Sequence, residues 1–478
     1  MTEKKKLLVF FRFVFLAAAL LALPGARMVE AEGPVVSNAP QAAFSGPATA
    51  PSEARAATLV TSPTLSSQRI DLTINDPKLR KIPIAIPAFV QAPGKPPAFA
   101  AASEARDLCE ETLDFTGLFK VLPPESHLVK LSGASEDSLR YADWSAIGAE
   151  LLITGEVGAT GQNLSLSLRL FDPVNGRMIF GRQYPNAMGV RGAVMKFCAE
   201  VMRHLTGSEG VFNTRIAFVS TTSGHKEIHV CDFDGANQLQ LTSKSRIAMS
   251  PDWSGDGRHI AYTAYRDGAP HIYILDRRTN RTRAVSHSSM DITPRWRPGA
   301  FELAATLSLT KDPEIYTLTG DGKIIKRLTD DWGIDVSPSW SPDGSKIVFV
   351  SNRSGSPQIY KMSPGTGSAK RLTFSGKYNT EPRFSPDGKS IAFSGDKKGV
   401  FHIFVMGAGG ENPTQLTSGS HDNESPTWSP DGNFIAFSST REGPSRIYIM
   451  NANGQNQRRL FKMSGEQTQP SWSPRLFR

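Results

Sequence analysis

Residues 340–350 read Trp-Ser-Pro-Asp-Gly-Ser-Lys-Ile-Val-Phe-Val. A large aromatic leads into Pro-Asp-Gly, where Pro presets φ, Asp bonds its own backbone and Gly accepts positive φ. The apolar run that follows suits a short buried strand. The same phrase, or a degraded copy, begins at Trp253, Trp296, Phe384, Trp428 and Trp472, at intervals of 43 or 44 residues. An Ile-aromatic pair recurs in step at Ile272-Tyr273, Ile315-Tyr316, Ile359-Tyr360, Ile403-Phe404 and Ile447-Tyr448. A third phrase ends near Leu328-Thr329, Leu372-Thr373 and Leu416-Thr417. Four short strands in each repeat of this length is the pattern of propeller blades, which stack radially and leave few open edges.

The two ends fix the blade number. Arg215-Ile216-Ala217-Phe218 matches the strand at Ile260-Ala261-Tyr262, yet no Trp-Ser-Pro phrase precedes it. Conversely, Trp472-Ser473-Pro474 has no strand after it. The incomplete ends make one blade, with the C-terminal segment as its innermost strand, so residues 213–478 form a six-bladed propeller.

The rest of the chain divides by composition. Lys4–Lys6, the apolar Phe13–Leu23 and Val29-Glu30-Ala31, with small residues at the −3 and −1 positions of a cleavage site, have the order of a secretory signal peptide over residues 1–31. The apolar run is too short to span ~30 Å of hydrocarbon. Residues 32–67, rich in Ala, Pro and Ser, read as a flexible low-complexity tail. Residues 68–207 alternate strands and helices and read as an α/β domain. Within it Ile82, Ile84 and Ile86 alternate, a helix runs Ala101–Gly117, and a shorter one runs Tyr141–Gly148 into the strand Leu151–Thr154. Leu164, Leu166, Leu168 and Leu170 then alternate into a hairpin across Asn175-Gly176, and Val194, Cys198, Val201, Met202 and Leu205 recur at helical spacing.

Charge excludes one class of partner. The formal net charge is +9, of which residues 1–31 carry +3. The remaining basic residues are scattered among acids with no stripe, so nucleic acid is not expected. Cys109, Cys198 and Cys231 lack metal-ligand spacing. A Cys109–Cys198 disulfide fits an oxidising compartment, but the reading preferred is three buried, inert thiols.

A second regularity points to a binding face. Pro251, Pro294, Pro338, Pro382, Pro426 and Pro470 each stand two residues ahead of the repeat aromatic, and the polar residues before them differ from blade to blade. Such connections converge on one mouth of a propeller channel, and variable loops on a rigid scaffold suit recognition. The expected partner-binding residues are Met290, Asp291, Thr293, Val336, Ser337, Thr380, Glu381, Asn423 and Glu424. No catalytic residue, metal or cofactor is assigned. Asp256, Asp343, Asp387 and Asp431 could form a carboxylate ring for a cation, but turn duty explains each of them.

The signal peptide, the α/β domain with Trp144-Ser145-Ala146-Ile147-Gly148-Ala149, the junction from Thr206-Gly207 to Thr214-Arg215-Ile216-Ala217-Phe218, and the repeats together resemble the TolB family. That family supplies the periplasmic component of the Tol-Pal envelope system. The resemblance implies a non-enzymatic adaptor, monomeric within a hetero-complex and without a membrane span in its mature form. It implies binding of the lipoprotein Pal at the propeller mouth and communication with TolA through the N-terminal region, in support of outer-membrane integrity and cell division. The family's Pal-contact positions match Met290, Thr293, Val336 and Ser337. Its Thr-Glu pair is Val336-Ser337 here, and Thr-Glu stands one blade later at Thr380-Glu381. The rival class is a propeller hydrolase or a peptidase-associated propeller. The second would need a Gly-x-Ser-x-Gly elbow, which the sequence lacks. The first would need inward ligands, and His259, His271 and His402 fall within or beside strands.

Overall fold

The computed structural model describes residues 80–128 and 139–476, apart from residues 244, 267, 286 and 311. The expected signal peptide and low-complexity tail lie outside the described residues. The first layer is a mixed sheet built from β1 (Ile82–Ala85), β2 (Val90–Gln91), β3 (Phe119–Val121), β4 (Leu151–Thr160), β5 (Asn163–Asp172) and β6 (Arg177–Ala187). Its order is β3-β1-β4-β5-β6, with β2 added beside β4. β1 runs parallel to both β3 and β4, whereas β4, β5 and β6 form antiparallel hairpins.

Period-two burial sorts the sheet's two faces. Ile84, Ile86, Leu151 and Ile153 pack on α1 (Phe99–Phe115) and α3 (Val190–Thr206), while Ala85, Leu152 and Phe171 pack on Trp144 of α2 (Tyr141–Ala146). The expected helix over 101–117 thus starts and stops two residues earlier. Gly117 takes φ +70-range backbone beyond its end, with Asn456 Nδ2 only 3.1 Å from where a Cβ would sit. Gly207 ends α3 in the left-handed conformation. Asn175 donates its backbone N–H to Asp172 Oδ1 at 3.0 Å in the β5–β6 turn.

Six four-stranded antiparallel sheets follow. Blade one combines Gln467–Trp472 with Arg215–Ser220, Glu227–Asp232 and Leu239–Gln240, so the C-terminal strand closes the ring. Blades two to six begin with the inner strands Ile247–Trp253, Asp291–Trp296, Asp335–Trp340, Asn379–Phe384 and Asn423–Trp428. The first strands of successive blades are neighbours, including blade one with both two and six.

Each repeated phrase has a physical job. In the Ser-Pro-Asp-Gly turns, and in Ser254-Gly255-Asp256-Gly257, the serine hydroxyl donates to the aspartate: Ser254 to Asp256, Ser341 to Asp343 and Ser385 to Asp387 at 2.5 Å, and Ser429 to Asp431 at 2.6 Å. The four carboxylates therefore serve their own turns, and the hydroxyl of Ser341 is the first cause holding Asp343 down at about 2. The aromatic wedges tie blades together: Trp253 Nε1 donates to Ser471 O at 3.0 Å, and Trp428 Nε1 to Arg383 O at 3.1 Å. The Leu-Thr phrase closes the outer hairpin, because the hydroxyls of Thr242, Thr329, Thr373 and Thr417 each accept a third-strand N–H at 2.9 Å.

The α/β domain sits on the side of the Pro-Asp-Gly turns. Arg458 donates to Phe115 O, the end of α1, at 2.8 Å, and Phe115 packs edge-on to Phe233 at 5.0 Å. Arg191 of α3 pairs with Asp232 and Asp234 in the outer turn of blade one. The mouth where the inner strands begin is the other side.

Candidate partner-binding mouth

Every inner strand breaks its register at the X-Pro step: between Met249 and Asp252, Ile292 and Arg295, Val336 and Ser339, Thr380 and Arg383, Glu424 and Thr427, and Thr468 and Ser471. Proline cannot donate to the ladder, and the α region is disfavoured for the residue before it. That residue is left-handed in all six blades: Ser250, Thr293, Ser337, Glu381, Ser425 and Gln469 have φ between 51 and 57°. None is glycine, so each carries backbone strain of roughly 1 kcal/mol or more.

Hydrogen bonds from the preceding blade hold several of these bulges. The N–H groups of Thr293, Ser425 and Gln469 donate to the hydroxyls of Thr263 (3.1 Å), Ser394 (3.0 Å) and Ser438 (3.1 Å). Ser250 N–H donates to Gln469 Oε1 at 2.8 Å. The mouth is thereby stitched blade to blade, which fixes the positions of its side chains before any partner arrives.

The structure separates the expected binding residues into two sets. Met290, Thr293, Ser337, Thr380, Glu381 and Glu424 are half-exposed on the mouth. Asp291 is 0%, Asn423 1% and Val336 5% exposed, so the expectation that their side chains face a partner is corrected. Asp291 accepts the His287 N–H at 2.7 Å and the Ser288 hydroxyl, pegging its own loop. Equivalent pegs recur, with Arg353 on Asp335 at 2.7 Å and Arg441 on Asn423 at 3.0 Å. Polarity made Asp291 and Asn423 look like contacts, and Val336 entered through its match to a family contact position. Glu381 mixes both roles: Oε2 accepts the Ser425 N–H at 2.7 Å and the Ser394 hydroxyl at 3.0 Å.

The residue after each proline is Asp252, Arg295, Ser339, Arg383, Thr427 or Ser471. Arg383 Nη1 lies 3.4 Å from Asp252 Oδ1, and Arg295 Nε lies 4.0 Å from the same oxygen. Asp252 Oδ2 accepts the Trp296 N–H at 2.8 Å. Burial, followed by the charge of Arg383, lowers the Arg295 guanidinium to about 9. Two guanidiniums against one aspartate make this stretch an unfavourable place for a cation. His259 rests against Phe301 with ring centroids 5.2 Å apart, His271 Nδ1 lies 4.0 Å from Asp291, and His402 is buried.

Two mouth residues escaped the sequence reading. Trp332 and Phe374, in the loops leading into blades four and five, are 70% and 75% exposed. Their loops are built to hold them. Ile334 N–H donates to Asn352 Oδ1 at 2.7 Å, Asp331 pairs with Arg353 at 3.0 Å, and a Cβ on Gly333 would meet Arg353 N at 2.9 Å. Arg371 stacks over Phe374 at 5.0 Å. The available signal was an aromatic set among polar residues in each loop, a residue type enriched at interfaces.

Comparison with known proteins agrees with this architecture. The family model described as the TolB beta propeller domain matches residues 202–476, and the one described as the TolB amino-terminal domain matches residues 70–179. A "Tol-Pal system protein TolB" from Desulfosudis oleivorans is 47% identical over 56% of this chain and 62% of its own length. A "Protein TolB homolog" from Chlorobium chlorochromatii is 40% identical over 53% of this chain and 57% of its own length. The chain thus spans somewhat more than half the length of the curated relatives it matches. The crystal structure of TolB from Acinetobacter baumannii superposes with a TM-score of 0.69 at 26% identity, covering 83% of this chain and 97% of that one.

Proposed function

The chain belongs to the TolB family, and on that premise we propose that it is a non-enzymatic periplasmic adaptor of the Tol-Pal system. It binds the peptidoglycan-associated lipoprotein Pal at the propeller mouth. Its N-terminal region communicates with TolA, and the assembly supports outer-membrane integrity and cell division. Among the described residues no helix is long and apolar enough to cross a membrane.

One observation carries the reading: a ring of six strained X-Pro bulges, several of them stitched to the preceding blade, holds the partly exposed Met290, Thr293, Ser337, Thr380, Glu381 and Glu424 on the face away from the α/β domain. Strain held in a pre-formed ring suits recognition, because little ordering entropy is left for binding to cost. The flanking Trp332 and Phe374 supply rigid apolar area on the same mouth. The channel below is crossed by charges that already engage one another.

The test is direct titration of the mature chain with the purified peptidoglycan-binding domain of Pal from the same organism. Saturable one-to-one binding is expected. A folded chain that shows no heat or anisotropy change at micromolar domain would contradict the reading.

A further inference from the structure

We propose that Cys109 and Cys198 close a disulfide between α1 and α3 in the exported protein. The proposal rests on the periplasmic reading for its oxidising environment. The two sulfurs lie 3.8 Å apart, and both residues are 0% exposed. Cys109 belongs to the inward stripe of α1 with Ala102, Ala105, Thr112 and Leu113. The Thr112 hydroxyl meets Met195 Sδ at 3.8 Å, one turn along both helices from the cysteine pair. The helices therefore cross in a register that puts the thiols face to face. A disulfide needs the sulfurs at about 2.05 Å, so small χ1 rotations and a slight approach of the helices suffice.

Cys231 is not a competitor in the folded state. It sits in a propeller strand, buried, with its sulfur 3.8 Å from the Ile216 carbonyl. Pairing between Cys109 and Cys198 leaves this single thiol reduced.

The reaction consumes one small-molecule or protein disulfide as oxidant. One cysteine thiolate attacks that disulfide, forming a mixed disulfide and expelling one thiolate. The second cysteine then attacks the mixed disulfide, forming the Cys109–Cys198 bond and expelling the other. Two electrons pass from the cysteines to the oxidant, and the two cysteine protons end on the expelled thiols. Burial favours the neutral thiol of Cys198 and raises it well above the ordinary range, with Cys109 reinforcing the effect. Exchange is therefore slow once the helices have packed, and the bond forms as they close. The same burial then shields it from reductants.

The experiment refolds the mature full-length chain in a mixture of oxidised and reduced glutathione. The product is acid-quenched, unfolded, alkylated and weighed, then mapped without reduction. One alkylated cysteine, Cys231, and one peptide pair joining Cys109 to Cys198 are expected. Dithiothreitol should leave the bond intact in native buffer and release it in denaturant. Cys231→Ala should keep the pair, and Cys109→Ala should show two free thiols. Three alkylated cysteines after refolding, or a bond to Cys231, would overturn the proposal. Cell fractionation separates the two readings. Periplasmic chain with three free thiols overturns the disulfide alone, whereas chain confined to the cytoplasm overturns the export reading, with the refolding result still deciding the disulfide.

Discussion

Arg383, in the inner strand of blade five, reaches Asp252 of blade two at 3.4 Å. Blades two and five stand opposite each other in a ring of six, so this contact crosses the channel. With Arg295 also facing Asp252, one carboxylate serves two guanidiniums. Removing one partner of such a group costs more than the pair contributes, because the remaining charge stays buried.

The two ends of that contact should therefore differ. Asp252→Ala removes the carboxylate nearest both arginines and leaves the Trp296 N–H without its acceptor, and should lose about 3 kcal/mol. Arg383→Ala leaves Asp252 paired with Arg295 and should lose clearly less. Urea denaturation of both variants checks the order, and a larger loss for Arg383→Ala would contradict it.

The left-handed residues before the prolines predict an unusual tolerance. Ser337 has φ 54°. Ser337→Gly should stay within about 0.5 kcal/mol of the parent, since relieved strain offsets the entropy glycine adds to the unfolded chain. Ser337→Val puts a β-branched residue in the same conformation and should cost roughly 1–2 kcal/mol. Thermal melts of the pair test this, and equal stability of the two variants would remove the strain argument.

Asp335 should give the propeller a specific pH signature. Burial pushes its carboxyl up to about 6, against the hydroxyl of Ser351 and the charge of Arg353, which lower it. A raised carboxyl favours the protonated folded state, so its contribution is complete below pH 4 and is lost as pH rises through 6. Burial lowers His127, His204, His229, His259 and His402, which act in the opposite sense as pH falls below 6.5. The difference between parent and Asp335→Asn isolates the carboxyl. From pH 7.5 to 5 the variant should lose about 1 kcal/mol relative to the parent. Asn423 already fills the equivalent place in blade six under Arg441, so the variant should fold. A parent–variant difference that stays flat with pH would contradict the assignment.

Closure predicts all-or-none behaviour. A chain ending at residue 466 lacks Gln467–Trp472, the inner strand of blade one, together with the Trp472 indole bond to Thr214 at 2.8 Å. It should show no cooperative propeller melt in circular dichroism, since an open edge faces the channel. An unchanged transition would contradict the closure.

The exposed aromatics predict where affinity concentrates. Trp332→Ala should weaken binding of the Pal domain by about tenfold or more, near 1.4 kcal/mol, without changing the melt. Unaltered affinity would remove Trp332 from the interface.

The blades were legible because each repeats its own turn chemistry, and the closure because the two incomplete ends complement each other. Helix limits were off by two residues at α1, whereas its stop was read correctly: Gly117 takes the left-handed conformation just past the Thr116 cap. The mouth was legible only as a place. A serine or glutamate before proline gives no local hint of positive φ, because the bulge is set by pairing with the next strand of the sheet. Asp291 and Asn423 look like surface polar residues until the loop that folds over them is seen. The Arg383–Asp252 contact joins residues 131 positions apart, which no local pattern records.

Site-specific photo-crosslinking in living cells tests the central claim most directly. A benzophenone amino acid is placed at the half-exposed Met290 and Thr380 on the mouth, and at the exposed Lys389 on the Pro-Asp-Gly side. The account predicts that Met290 and Thr380 capture a lipoprotein carrying a peptidoglycan-binding domain, and that Lys389 does not. Capture of that lipoprotein from Lys389, with none from the mouth, would contradict it.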